Sequence, residues 1–169
     1  MLDGLTPLVM LTDADAALMK ALEVISPQVT KLLCRFHINM NVAHRARKEL
    51  PNVESCQKFS SLWDRLVSST IEAEVEWQWN YIVKKFKEFP DLIDYLQNTW
   101  MPCREKFVDA WSDRCVNFGE KTTNRAEGAH ASLKRSLNGR KNHTFLNMWE
   151  LIHPNVAAQV IEIRASFEA

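Results

Sequence analysis

The stretch PLVMLTDADAALMKALEVISPQVTKLLCRF, residues 7–36, decides the fold that the sequence predicts. Two short apolar runs in it are typical of buried strands: PLVML at 7–11 and VTKLLCRF at 29–36. Between them, apolar residues recur on one helical face over 14–25, and a further helix is predicted over 38–50. Strand, helix, strand and helix in this order favour parallel strands joined by helical crossovers.

The chain changes to helical periodicity after this stretch. We predict an all-helical insertion over 51–118, in which Pro90 and Pro102 each stand near a helix start. The insertion holds five of the six tryptophans, which we expect to form its core: Trp63, Trp77, Trp79, Trp100 and Trp111.

Two further segments complete the predicted plan. A basic helix is predicted within 119–141, and residues 142–169 form a last helix that Pro154 interrupts. The predicted fold class is therefore α/β turning mostly α, with the strand–helix–strand–helix part confined to 1–50. Three or more strands are normally needed for a stable sheet, so we expect the chain to begin inside a domain.

The charge of the chain is balanced overall but unevenly distributed. Lys and Arg number 21 and Asp and Glu number 21, which gives a net charge of zero. Residues 121–141, however, hold six basic residues against one acidic residue, a net charge of +5. Such a local excess is typical either of a solvated surface or of a nucleic-acid contact.

The composition also bears on the compartment. No apolar run approaches the roughly 18–20 residues that span a bilayer, and the opening MLDGLTPLVML lacks a basic start and a cleavage site. The four cysteines are scattered and form no CxxC pair, which favours reduced thiols. We therefore expect a nuclear protein, or a cytoplasmic one before import, that is neither secreted nor in a membrane.

Two features near the strand ends are candidates for chemistry. Asp13 follows the first strand, where parallel sheets place functional carboxylates, although local sequence favours a helix cap at Asp13 or Asp15. Cys34 and His37 have the CxxH spacing of half a zinc site. A second ligand pair at finger-like spacing is missing, so a buried cysteine beside a histidine is the favoured interpretation.

A third candidate is the segment KTTNRAEGAHASLKRSL at 121–137, whose only acidic residue is Glu127. His130 lies one turn further along the same face of the predicted helix, and Asn124 stands at its start. A carboxylate amid cations can belong to a solvated face, or it can hold a metal beside a polyanion.

These motifs together resemble those of the Mutator-like element (MULE) transposases. The resembling blocks are VMLTDADAALMKALEVISPQVTKLLCRFHINMNV and, after the helical insertion, W…FVDAW…FGEKTTNRAEGAHASLK, in order over about residues 5–140. The resemblance implies an RNase H-like catalytic domain that is interrupted by a helical insertion. It also implies an Asp-Asp-Glu triad that binds two divalent ions, Mg²⁺ or Mn²⁺, for DNA cleavage and strand transfer.

The resemblance assigns roles by position. Asp13 corresponds to the second aspartate and Glu127 to the glutamate, and both are implied as catalytic metal ligands. Cys34, His37, Asn124 and His130 are implied as supporting motif residues. The basic residues implied to bind DNA are Arg125, Lys134, Arg135, Arg140 and Lys141. Asp13 and Glu127 are then expected to face one another across one metal cluster.

The resemblance leaves one ligand unassigned. The first aspartate belongs to an earlier strand, and Asp3 is too close to Asp13 to supply it. We therefore expect a fragment that is inactive alone, with DNA and the N-terminal half of the transposase as partners, and with a tendency to self-associate. Two alternatives stay open: a domesticated DNA-binding regulator like the plant far-red-response factors, and a helical interaction module built on the tryptophan-rich block.

Overall fold

The computed structural model describes residues 7–136 and 144–168. It is mostly helical, with one small parallel sheet of two strands, β1 (Val9–Thr12) and β2 (Thr30–Leu33). Thr12 pairs with Leu33 at the carboxyl end of the sheet. The coarse prediction of an α-rich α/β chain with two parallel strands is confirmed.

Of the two helices that alternate with the strands, the first has a side-chain N-cap and the second does not. Helix α1 (Ala16–Ile25) is capped by Asp15, whose carboxylate accepts a hydrogen bond of 2.7 Å from the Leu18 N–H. The cap is therefore Asp15, and Asp13 is left available for another role. Helix α2 (Arg35–Glu49) begins three residues before the predicted start, and Cys34 occupies its N-cap position without a side-chain cap hydrogen bond.

Residues 51–118, the predicted insertion, contain helical segments of 4 to 15 residues. Their bounds are α3 (Val53–Val67), α4 (Glu72–Lys85), α5 (Pro90–Tyr95), a π-helical turn (Leu96–Trp100), a 3₁₀ segment (Met101–Lys106) and α6 (Asp109–Ser112). Pro90 and Pro102 lie in the first turns of their segments, as predicted, where a missing N–H costs no helical hydrogen bond.

The tryptophan prediction is wrong at one position. Trp63, Trp79 and Trp100 are buried in the hydrophobic core, and Trp111 packs against it. Trp77 is 61% exposed, because residues two apart on an α-helix point to opposite sides, and Trp79 occupies the inner side. Trp77 instead stacks on Tyr81 with ring centroids 5.6 Å apart.

An ion-pair cluster fastens the strand-bearing part to the insertion. The Arg35 guanidinium pairs with the buried Asp109 carboxylate and donates to the Phe107 carbonyl at 2.9 Å. Lys121 adds a second cation, with its Nζ 2.7 Å from Asp109 Oδ1. One buried carboxylate therefore joins α2, α6 and the segment that precedes the next helix.

The chain divides into two compact units, Met1–Thr123 and Asn124–Ala169, each of which is described by itself. The second unit contains α7 (Asn124–Ser136) and α8 (Phe145–Glu168). The predicted interruption at Pro154 is wrong, since α8 runs through it. A proline removes one hydrogen bond of a long helix, and the remaining bonds of α8 continue on both sides of it.

The sheet end of the first unit is weakly covered within the described ranges 7–136 and 144–168. All four residues of β1 are only half-buried, and α1 has no buried residue. Ile25 and Leu8 are 77% and 74% exposed. Within the same ranges, no helix has the length and apolar character that crossing a membrane requires.

Candidate functional site at the carboxyl ends of the strands

The parallel register brings Asp13 and Cys34 together. Thr12 and Leu33 are paired at the ends of β1 and β2, so the next residue of each strand emerges at the same edge of the sheet. The Cys34 N–H donates a hydrogen bond of 2.7 Å to the Thr12 carbonyl, which extends the strand pairing by one residue. Two residues that are 21 positions apart in sequence thereby become neighbours.

The first turn of α2 explains the CxxH spacing. Cys34 is the N-cap, so His37 occupies the third helical position. Side chains at these two positions of a helix face each other, as they do in a capping box. The thiol and the imidazole therefore point into the same space, beside the end of β1.

Asp13, Cys34 and His37 form one cluster. One ligand atom from each lies within 4.8 Å of the others, and His37 Nδ1 is 2.6 Å from Asp13 Oδ1. The Cys34 side chain is buried at the base, whereas the Asp13 side chain is 54% exposed at the rim. The cluster therefore opens to solvent on its carboxylate side.

The segment before α7 closes the base of the cluster. Both the N–H and the hydroxyl of Thr123 donate to Cys34 Sγ at 3.3 Å. Two residues earlier, the Lys121 carbonyl accepts a hydrogen bond of 3.0 Å from the Arg35 N–H. Thr123 and Cys34, which are 89 positions apart in sequence, are thus in direct contact.

These contacts change the acidity of two groups. Burial raises the pKa of the Cys34 thiol, but hydrogen bonds from Thr123 and His37 outweigh it and leave the pKa below its ordinary value. Burial likewise acts to raise the pKa of Asp109, and its contacts with Arg35 and Lys121 reverse the effect, so this pKa is also lowered.

The donor set of the cluster indicates which ions it could hold. A thiolate sulfur, an imidazole nitrogen and a carboxylate oxygen together suit Zn²⁺ and similar ions. Mg²⁺ prefers oxygen ligands and is often held by one or two carboxylates with bound phosphates. Of these three residues, only Asp13 fits Mg²⁺, and its half-exposed carboxylate has a second oxygen besides the one beside His37.

The other predicted site residues lie on the second unit. Asn124 is the first residue of α7, and Glu127 lies in its first turn. Glu127, His130, Lys134 and Arg135 are exposed. Arg140, Lys141 and the side chain of Arg125 lie outside the described residues. Because the two units are described separately, the pairing of Asp13 with Glu127 stays a prediction.

Sequence reasoning missed part of this site. It treated Asp13 and the CxxH pair as separate candidates, although the structure brings them into one cluster. It also missed Thr123 and Asp109, which hold Cys34 and Arg35 in place. One signal could have found the cluster. Asp13 and Cys34 each follow the last residue of a strand, and a parallel register places two such residues side by side.

Comparisons with protein-family models, with curated proteins and with solved structures give no match for this chain. The resemblance to MULE transposases therefore stays a hypothesis that is based on the quoted motifs.

Proposed function

We propose that this chain is part of the catalytic domain of a MULE-type transposase, a metal-dependent DNA nuclease and strand transferase with an RNase H-like fold. Asp13 carries the proposal, because its carboxylate is half exposed at the carboxyl end of a parallel strand. Enzymes with parallel sheets commonly have their functional groups at this edge.

The segment between the insertion and α7 supports the same proposal. Three hydrogen bonds tie residues 121–123 to Cys34 and Arg35, at the junction that also carries His37. Glu127 follows Thr123 by four residues. The chain thus returns from the insertion to the sheet edge just before it reaches the second carboxylate that the resemblance assigns.

The residues have distinct proposed tasks. Asp13 and Glu127 would hold Mg²⁺, which, when bound, stabilises the charge on the attacking and leaving oxygens of a phosphodiester. His37 would orient the Asp13 carboxylate, because its Nδ1 lies 2.6 Å from Asp13 Oδ1. Lys134 and Arg135, both exposed on α7, would bind backbone phosphates.

The experiment that tests the proposal measures duplex DNA binding by fluorescence anisotropy, with and without Mg²⁺. We expect Mg²⁺ to strengthen binding by the wild-type chain, because Asp13 and Glu127 would hold the ion and its positive charge would attract the phosphates. Asp13→Asn and Glu127→Gln should remove this strengthening. Without Mg²⁺, Glu127→Gln should bind equally well or slightly better, because it removes a negative charge near the phosphates.

Two matched variants control for the loss of any carboxylate. Asp15→Asn lies two residues from Asp13 and replaces one good helix cap by another, and Glu150→Gln removes an exposed carboxylate from α8. Both should keep the response to Mg²⁺. If the Asp13 and Glu127 variants respond to Mg²⁺ as the controls do, the catalytic assignment is wrong. DNA binding by the wild-type chain that does not depend on Mg²⁺ would favour the alternative of a DNA-binding regulator.

A further inference from the structure

We propose that Asp13, Cys34 and His37 bind a Zn²⁺ ion; this site would share Asp13 with the Mg²⁺ site considered above, but its thiolate and imidazole ligands suit Zn²⁺ and not Mg²⁺. The inference goes beyond the proposed function and stands without it, because it is based on the geometry of the first unit alone. The CxxH pair supplies two ligands, and Asp13 supplies the third ligand that the sequence pattern lacks.

The distances suit this ion after small side-chain adjustments. Zinc lies about 2.3 Å from sulfur and about 2.0–2.2 Å from nitrogen and oxygen, so neighbouring ligand atoms of a tetrahedral site are about 3.3–3.6 Å apart. One ligand atom from each of the three residues lies within 4.8 Å of the others, and His37 Nδ1 is 2.6 Å from Asp13 Oδ1. Side-chain movements of about 1 Å bring the three atoms to zinc distances.

The surroundings of Cys34 provide an independent observation. Its sulfur is 3.3 Å from both the backbone nitrogen and the hydroxyl oxygen of Thr123. Two donors directed at one buried sulfur stabilise a thiolate, and metal-bound ligands are commonly oriented by such surrounding hydrogen bonds. A cysteine that only fills space in a core has no need of either donor.

The number of ligands indicates a zinc site with an open coordination position. Structural zinc sites usually have four protein ligands, whereas sites with three keep a position for water or another ligand. The open side of the cluster is the side of the half-exposed Asp13. A bound ion would join the end of β1, the start of α2 and, through Thr123, the segment before α7.

The experiment is a titration of the full chain with Co²⁺, a spectroscopic substitute for Zn²⁺, without DNA or Mg²⁺. We expect a thiolate-to-cobalt charge-transfer band and intense visible bands of a four-coordinate ion. Zn²⁺ added afterwards should displace the Co²⁺ and abolish both, whereas Mg²⁺ added afterwards should leave both in place, because it prefers oxygen ligands. Cys34→Ser should abolish the charge-transfer band. His37→Gln and Asp13→Asn should weaken binding by more than about 100-fold, and Thr123→Val, which removes a surrounding donor, by about 10–100-fold.

Matched variants separate this site from other thiols and imidazoles. The triple variant Cys56→Ser, Cys103→Ser, Cys115→Ser leaves Cys34 as the only thiol and should keep the band. His44→Gln, on an exposed position of α2, and Asp15→Asn should bind Co²⁺ as the wild-type chain does. Far-ultraviolet circular dichroism of each variant verifies that the helices are intact.

The outcomes distinguish this inference from the proposed function. A band that survives Cys34→Ser, or Co²⁺ binding without any thiolate band, would overturn the zinc site. A band that disappears with the triple variant would assign the ion to another cysteine and would also overturn it. The Co²⁺ titration contains no DNA, so its result does not depend on the outcome of the DNA-binding experiment.

Discussion

Arg35 shows how one residue connects the site to the core. Its backbone N–H donates a hydrogen bond to the Lys121 carbonyl. Its guanidinium donates to the Phe107 carbonyl and forms an ion pair with the Asp109 carboxylate. The side chains of Arg35 and Asp109 are 14% and 9% exposed. A largely buried pair of this kind is costly to break, because removing one charge leaves the other without compensation.

We therefore predict that Asp109→Asn lowers the free energy of unfolding by about 2–4 kcal/mol at neutral pH. Because the pKa of Asp109 is lowered in the folded state, its ionised carboxylate adds to the free energy of unfolding. This stabilisation is complete above the unfolded pKa of about 3.9 and is lost as the pH falls through the folded pKa. The difference in the free energy of unfolding between the wild type and the variant should therefore shrink below about pH 4. Urea denaturation as a function of pH measures it.

The control for this variant is Asp113→Asn. Asp113 also pairs with Lys121, at 3.1 Å, but its side chain is 43% exposed. Exposed pairs contribute about 0–1 kcal/mol, so this variant should lie close to the wild type. Equal losses for the two variants would mean that the Asp109 cluster contributes no more than a surface ion pair.

At the scale of elements, α7 combines one carboxylate with several cations. Glu127 lies in its first turn, where the positive end of the helix dipole favours an acidic group, and Lys134 and Arg135 lie in its last turn. This distribution stabilises the helix by itself. Helix electrostatics alone therefore does not decide whether the cations also bind DNA.

We predict weak, non-specific duplex binding through α7, with a dissociation constant of about 10⁻⁴–10⁻⁶ M at physiological salt. Each phosphate contact contributes about −0.9 to the log–log salt slope, so Lys134→Ala with Arg135→Ala should flatten the slope by up to about 1.8. Adding Arg140→Ala and Lys141→Ala should raise the change to about 3–4. Fluorescence anisotropy against salt, without metal, measures the slope.

The matched control removes two cations from the insertion. Lys84 and Lys87 are exposed, as Lys134 and Arg135 are, and replacing both by Ala changes the net charge by the same amount. This variant should keep the wild-type slope, because it lies outside the proposed contact. Identical salt slopes for the two double variants would mean that the cations of α7 belong to a solvated helix face and do not contact DNA.

The whole molecule has an uneven distribution of burial. The core cluster lies mainly in the helices of the insertion and in α2, whereas β1 and α1 contribute no buried residue. Among the residues that the structure describes, β1 pairs with β2 alone. A short sheet with an unpaired edge and exposed apolar side chains is a template for further strand pairing.

We predict that the chain self-associates through this end of the first unit. Leu8→Lys with Val24→Lys should reduce association, because charged side chains discourage edge pairing and apolar contact. Both residues are exposed, at 74% and 79%, so the melting temperature of the monomer should change little. Sedimentation velocity at several concentrations measures the association.

Val53→Lys is the control for this prediction, because Val53 is 72% exposed but lies at the start of α3 in the insertion. It should leave association unchanged. A wild-type chain that sediments as a monomer at all concentrations would contradict the prediction, as would equal effects of the control and the double variant.

The sequence by itself determined the order and type of most elements. Alternation of short apolar runs with amphipathic stretches predicted the strands and their helices, since both signals are local and depend on backbone periodicity. Pro90 marked a helix start for the same reason, because its restricted backbone acts at its own position. The assignment of roles to Asp13 and Glu127 stays a prediction from the resemblance.

Only the tertiary structure decided which side chains meet. The parallel register puts Asp13 beside Cys34, and the return of the chain after the insertion brings Thr123 to the same thiol. It also decided that Trp79 is buried and Trp77 is exposed. Contacts between distant positions depend on packing and register, which local periodicity does not specify, so the three-ligand cluster could not be derived from the CxxH spacing alone.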